Sequence, residues 1–213
     1  MRSSKTPRRF ILTLIAASAC AHAQYKSEAA GAPPAELAPP IAQALQTAGT
    51  RIINSSGAVY SEVWFRTSAP SGPKSTEADV TLPTIPHGSL IGAIKFPAQG
   101  ADRRGQTIKP GVYTLRFSLQ PVTGDHVGAS PQRDFLVMVP AADDKDPAAT
   151  PAFDALMAMS RKASGTPHPA VLSVWSSTAS SFPSFGKEGD HDWALNTKVG
   201  DLPLAVILIG KAE

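Results

Sequence analysis

The alternation of apolar and polar residues is clearest in the segment GQTIKPGVYTLRFSLQ, at positions 105–120. Its Lys109-Pro110-Gly111 sequence predicts a turn, because proline presets φ and glycine accepts a positive one. After the turn every second residue is apolar, namely Tyr113, Leu115, Phe117 and Leu119. The residues between them are Thr114, Arg116 and Ser118. This period of two predicts a strand with one face buried and a polar face exposed.

Comparable strand-length runs occupy positions 51–54, 58–66, 77–82, 90–96, 133–140, 170–175, 193–199 and 204–209. Loops rich in Gly, Pro and Ser separate many of them. Positions 135–139 and 204–209 are apolar without alternation, which predicts central strands covered on both faces. Two other segments, 41–48 and 151–162, place apolar residues at helical spacing behind a proline that can start a helix.

Loops rather than helices fill most of the intervals between the strand-like runs, which disfavours a βαβ fold. We therefore predict a mainly β fold, a single antiparallel β-sandwich that is immunoglobulin-like or jelly-roll-like, with about eight or nine strands and two short appended helices. The sandwich domain is expected to span residues 41–213. Residues 24–40 are rich in Ala and Pro and are expected to form a flexible leader.

The N-terminus has the pattern of a secretory signal peptide, residues 1–23. Four basic residues precede a short apolar run, and Ala21-His22-Ala23 provides a cleavage site. The run is too short to cross a bilayer core of about 30 Å, so no transmembrane anchor is expected. We predict an exported protein, periplasmic or extracellular. Cys20 offers lipid anchoring as an alternative, although Ala17 stands where a lipoprotein signal normally has leucine.

Removal of the predicted signal peptide changes the charge balance. Four of the 20 Lys and Arg residues lie in positions 1–23 and none of the 17 Asp and Glu residues does, so the net charge becomes −1. A nucleic-acid-binding domain carries a basic patch, and a net charge of −1 does not predict one. The one cysteine is Cys20, so the mature chain has neither a disulfide nor a cysteine nucleophile.

Two Gly-Asp-His triplets are the clearest candidates for metal chemistry. They contain Asp125 and His126 in one loop, and Asp190 and His191 in another. Carboxylate and imidazole groups are metal ligands, so the two loops could build one site if they meet. The same triplets are also ordinary turn sequences, because Asp caps its own turn. We otherwise expect no cofactor.

A binding surface is the second candidate. Tyr60, Glu62 and Trp64 share one face of the run 58–66, and Arg116 lies on the polar face of the first segment. Aromatic side chains beside a carboxylate can stack on a glycan or hold a peptide, whereas the alternative is that the tryptophans are core residues. Glu62 beside Trp64 also leaves open a carboxylate-based hydrolase. No G-x-S-x-G motif is present.

Three stretches resemble an uncharacterised family of secreted bacterial β-sandwich proteins. They are EVWF at 62–65, KPGVYTLRF at 109–117 and RDFLV at 133–137. The resemblance spans residues 36–213 and implies the fold and a bacterial, exported origin, with no activity or catalytic residue to transfer. The sequence thus favours a non-enzymatic binding or cell-envelope-associated module for a glycan, peptide or envelope component. A metal-dependent protein and a hydrolase are the alternatives.

Overall fold

The computed structural model describes residues 25–122 and 132–212. Two helices are present in these ranges, α1 (Pro39–Ala44) and α2 (Phe153–Ser164). The strands are β1 (Lys26–Ala30), β2 (Gly49–Ile53), β3 (Val59–Phe65), β4 (Leu90–Phe96), β5 (Gly100–Ala101), β6 (Thr107–Ile108), β7 (Gly111–Leu119), β8 (Asp134–Pro140), β9 (Val171–Ser176), β10 (Ser184–Glu188), β11 (Asp192–Val199) and β12 (Leu202–Ile209). Neither helix has the length and apolar character needed to cross a membrane.

Ten of the strands form one antiparallel sheet that curls until it is nearly closed into a barrel. Their order is β1-β2-β3-β4-β7-β8-β9-β12-β11-β10, and β5 and β6 form a separate ribbon. The end strands β1 and β10 touch without a hydrogen-bonded ladder between them in the described chain. We call this contact the seam. At the seam the Tyr25 ring lies 5.6 Å from the Trp193 ring, which also stacks on Phe185.

The seam is expected to depend on Trp193. Each such aromatic pair contributes about 0.5–1.5 kcal/mol, so Trp193→Ala should lower the local opening free energy of β1 and β10 by about 1–3 kcal/mol. Amide hydrogen exchange checks this, with β7 and β8 as the internal reference. Equal acceleration in all four strands would show that Trp193 supports the whole barrel rather than the seam.

The predicted fold class is confirmed, mainly β with two helices and antiparallel strands. The two-sheet packing and the strand number are not confirmed. The physical reason is that a sandwich and a barrel bury one face of each strand equally well, so the same alternation serves both. The sequence did not predict strands β1 and β10. Four residues of β1 are exposed and no residue of β10 is buried, so neither strand needs an alternating apolar pattern.

The barrel interior holds the residues that the alternation selected. The core cluster includes Val63, Phe65, Ile94, Tyr113, Leu115, Phe117, Leu136, Leu172, Leu195 and Val206. The outer face is apolar where something covers it. Helix α1 covers Trp64, Leu90 and Ala93, and α2 covers Phe135, Val137 and Val139 through Leu156. This second cover explains why positions 135–139 are apolar on both faces.

Two segments differ from the sequence expectations. Residues 77–82 do not form a strand; the Asp134 carboxylate holds them as a loop by accepting hydrogen bonds from the Thr81 and Leu82 amides at 2.8 and 3.0 Å. Residues 24–40, expected to be a flexible leader, contain β1 and the start of α1. Strand β1 pairs with β2 through its backbone, which needs no apolar side chains.

Candidate functional site: a groove beneath helix α2

A groove of about 270 Å³ lies between α2 and the outer face of the barrel. Its floor consists of residues from β7, β8 and β9, namely Ser118, Phe135, Val137 and Val171. One wall is formed by Phe153, Met157 and Arg161, which follow each other at intervals of four and therefore share a face of the helix. Leu119, Pro121 and residues 167–169 also line the groove.

The way in which α2 is held leaves the groove open. The helix starts beside Gly88, where a Cβ would come within 2.9 Å of the Pro151 carbonyl oxygen. The Gly88 amide in turn donates to the Phe117 carbonyl of β7 at 2.8 Å. At the other end the Ser160 hydroxyl accepts a hydrogen bond from the Ala170 amide at 2.9 Å, just before β9. The helix therefore packs on β8, with its start near β7 and its Ser160 turn near β9, and Phe153 remains 39% exposed.

Charge is distributed unevenly along the groove. Arg104, Arg161 and His168 line it, and all three come from segments next to the start of β9. The Arg103 amide donates to the Val171 carbonyl at 2.8 Å, which places the neighbouring Arg104 there. Arg161 lies in the last turn of α2, four residues before its Gly165 C-cap. Among the described residues of the lining, Asp154 is the one acidic residue and lies in the first turn of α2, so the described part of the β9 end is basic.

A buried carboxylate fixes the loop that carries Arg104. Asp102 is 1% exposed and accepts hydrogen bonds from the amides of Arg104, Gln106 and Val171, and from the Gln106 side chain. Burial raises the pKa of Asp102 above its ordinary value, and these hydrogen bonds oppose that rise. The arrangement joins the loop to β9 and so holds the basic end of the groove in place.

The floor of the groove contains one unsatisfied hydroxyl. Ser118 is 2% exposed, and its Oγ has no hydrogen-bond partner among the residues that the structure describes. Buried polar groups in folded proteins nearly always have a partner, and one without a partner costs about 1–3 kcal/mol. Ser118 lines the groove but its Oγ is enclosed, so a molecule bound there would supply the missing hydrogen bond after the side chain rotates towards the groove.

Trp64 was the tryptophan proposed for an exposed stacking surface, and the structure instead bears out the alternative, a core residue. The side chain is 2% exposed, packed with Ile41 and Leu45 beneath α1, and its Nε1 donates to the Gly31 carbonyl at 2.8 Å. The cause is the segment before β2, which folds over the outer face of β3 and β4. The surface on which the predicted stacking depended is therefore not formed by Trp64.

Tyr60 and Glu62, which were predicted to share that surface, both contact side chains of neighbouring segments. Tyr60 is half-buried and makes edge-on ring contacts with Phe96 at 5.8 Å and with Tyr25 at 6.1 Å. Glu62 forms an ion pair with Arg51 of β2, with an oxygen to nitrogen distance of 2.7 Å. Their role in binding stays a prediction.

Arg116 was also expected on an exposed face, and it is fully buried. Its guanidinium binds both oxygens of Asp144 at 2.7 Å. The remaining donors reach the carbonyl oxygens of Gly88, Asp146 and Ala149. The loop after β8 folds back over β7 and brings Asp144 and these carbonyls with it. Arg116 therefore fastens that loop to the barrel, immediately before α2.

Half of the predicted metal site falls within the structure. Asp190 and His191 lie in the turn between β10 and β11, beside a polar cavity of about 430 Å³ that Arg103 and Lys211 also line. Asp192, the first residue of β11, is paired with Arg103 at 2.6 Å. Asp125 and His126 lie outside the described residues. Within the described ranges no three His, Cys, Asp or Glu residues are grouped to hold a metal, so the metal site stays a prediction.

Comparison of the chain with protein-family models, curated proteins and solved structures finds no match. The resemblance to secreted bacterial β-sandwich proteins therefore stays a prediction. The groove is the feature that suggests a function, because the groove combines an apolar floor, a basic end and an unsatisfied hydroxyl.

Proposed function

We propose that this protein is an exported, non-enzymatic binding module that holds a small amphipathic molecule in the groove beneath α2. The observation that carries the proposal is the buried Ser118 hydroxyl, unpaired within the described structure, in an otherwise apolar floor. Ligand sites are typically concave and mostly apolar, with a few polar groups that orient the ligand. Export is supported by the signal-peptide pattern of residues 1–23.

The size of the groove limits the occupant. Its volume of about 270 Å³ is close to the lower end of the range for small-molecule sites, roughly 300–1,000 Å³. Phe135, Val137 and Met157 would bury an apolar part of the ligand, and each buried methylene group contributes about 0.8 kcal/mol. Of the ligand classes that the sequence favours, a small envelope-derived amphipath fits these dimensions better than a glycan or an extended peptide.

A binding role also agrees with the surroundings of Ser118. A serine nucleophile needs a base within hydrogen-bond distance to accept its proton. The Ser118 Oγ has no hydrogen-bond partner within the described ranges, so no such base activates it there. We therefore assign this hydroxyl to ligand orientation rather than to acyl transfer.

The mature protein is expected to bind the neutral fluorescent probe N-phenyl-1-naphthylamine at one site. Met157→Trp places an indole in the groove and should weaken binding by at least about tenfold, a loss of roughly 1.4 kcal/mol. Ala158→Trp is the matched control, because Ala158 is exposed and does not line the groove. A fluorescence titration measures both affinities, and circular dichroism confirms that each variant is folded.

Two results would overturn the proposal. One is a lack of saturable binding to the wild-type protein. The other is equal affinity of wild type and Met157→Trp, which would place the probe elsewhere. If Met157→Trp does not fold, Val137→Phe replaces it as the test. This variant enlarges a residue of the groove floor, and the same titration measures its probe affinity.

A further inference from the structure

We infer that the natural occupant of the groove is an amphipathic monocarboxylate, with its carboxylate at the basic end and its apolar tail directed towards Phe153. The inference rests on the proposed binding function and adds the chemical class of the ligand. It follows from three features: the charge at the β9 end, the state of pairing of Arg161, and the length of the groove along α2.

The charge at the β9 end complements an anion. Arg104, Arg161 and His168 line the groove there, and within residues 25–122 and 132–212 the one carboxylate of the lining belongs to Asp154 at the opposite end of the helix. Guanidinium groups bind carboxylates through two parallel hydrogen bonds, and such pairs strengthen where water is partly excluded. A cationic head group would meet like charge at this end, and a neutral one would gain no comparable interaction.

Arg161 is available for such a pair. The seven ion pairs within residues 25–122 and 132–212 do not include it. The next residue, Lys162, is paired with Asp143 at 3.0 Å and does not line the groove. The two neighbours therefore carry the same charge in different settings. This makes Lys162 a control for effects of net charge.

The length of the groove limits the tail. Phe153 and Arg161 are eight residues apart, so they are separated by about 12 Å along the helix axis, comparable to an extended chain of about nine carbons. Between them Phe135, Val137 and Met157 offer continuous apolar contact. A medium-length chain would therefore place its carboxylate at Arg161 and its end near the exposed ring of Phe153.

The test is displacement of N-phenyl-1-naphthylamine by three ten-carbon compounds at low ionic strength, namely decanoate, decan-1-ol and decyltrimethylammonium. Decanoate should displace the probe at about one tenth of the concentration that decan-1-ol requires, and the ammonium compound should be the weakest. Arg161→Gln should remove most of the preference for decanoate over decan-1-ol, with both displacement concentrations corrected for the probe affinity measured for that variant. Lys162→Gln should keep the preference, and added salt should reduce it.

The outcomes separate the two proposals. If the probe binds in the groove but decan-1-ol and decanoate displace it equally, the carboxylate inference is overturned and the binding function stands. Equal loss of preference in Arg161→Gln and Lys162→Gln would also overturn it, because the effect would then be one of net charge. If the probe does not bind, or binds Met157→Trp as well as wild type, the binding function itself fails.

Discussion

Asp144→Ala is expected to lower the free energy of unfolding by about 3–5 kcal/mol, the usual cost of removing one partner of a buried ion pair. Arg116 is fully buried and Asp144 is 4% exposed, so the guanidinium would keep its charge without a counter-charge. Its hydrogen bonds to the Gly88, Asp146 and Ala149 carbonyls would remain, but carbonyl dipoles do not neutralise it. Urea denaturation measures the loss.

The neighbouring Asp143→Ala is the matched control. Asp143 pairs with Lys162, whose side chain is 62% exposed, and exposed pairs contribute about 0–1 kcal/mol. Replacing both buried partners, as in Arg116→Met with Asp144→Leu, should cost less than Asp144→Ala alone, because no buried charge then lacks a partner. A loss for Asp144→Ala within about 1 kcal/mol of the Asp143→Ala value would contradict the structural role given to Arg116.

Trp64→Ala is expected to cost about 3–5 kcal/mol, as for other large aromatic residues in a core. Its indole fills the space between α1 and the outer face of the sheet and donates to Gly31 at 2.8 Å. The side chain is tightly enclosed, since a Cβ added to Gly49 would lie 2.6 Å from its Nε1. Thermal and urea unfolding both report the loss.

Two further variants separate the causes. Trp64→Phe keeps most of the apolar contact and removes the hydrogen bond, so it should cost clearly less than Trp64→Ala. Trp175→Ala removes an indole that is only partly buried and should also cost less. A stability close to wild type for Trp64→Ala would contradict the core role of Trp64 and support its alternative role in a surface.

The segment at 105–120 shows which structural features could be predicted from the sequence and which could not. Its strand and its inward residues Tyr113, Leu115 and Phe117 are as predicted, because a period of two identifies the buried face directly. Arg116 is different. An alternating polar residue indicates the opposite face but not whether that face meets water, and the carboxylate that buries Arg116 comes from a loop 28 positions later.

The groove was beyond prediction for a geometric reason. The spacing of Phe153, Leu156 and Met157 predicts helix α2, and the structure confirms it. Only the angle of the helix across β7, β8 and β9 decides that Leu156 is fully buried while Met157 lines a cavity. Ser118 was the one residue of the groove that the sequence marked, because it lies on the polar face of the segment 105–120, which was predicted to be exposed.

The seam between β1 and β10 has a consequence for the order of assembly. Most neighbouring strands of the large sheet follow each other closely along the chain, so they can pair as the polypeptide emerges. Tyr25 and Trp193, by contrast, lie at opposite ends of the described chain, and a contact of such long range forms late because it must close a very large loop. The barrel therefore becomes complete only after the chain has been made as far as Trp193, so the seam is expected to be the last part of the large sheet to form.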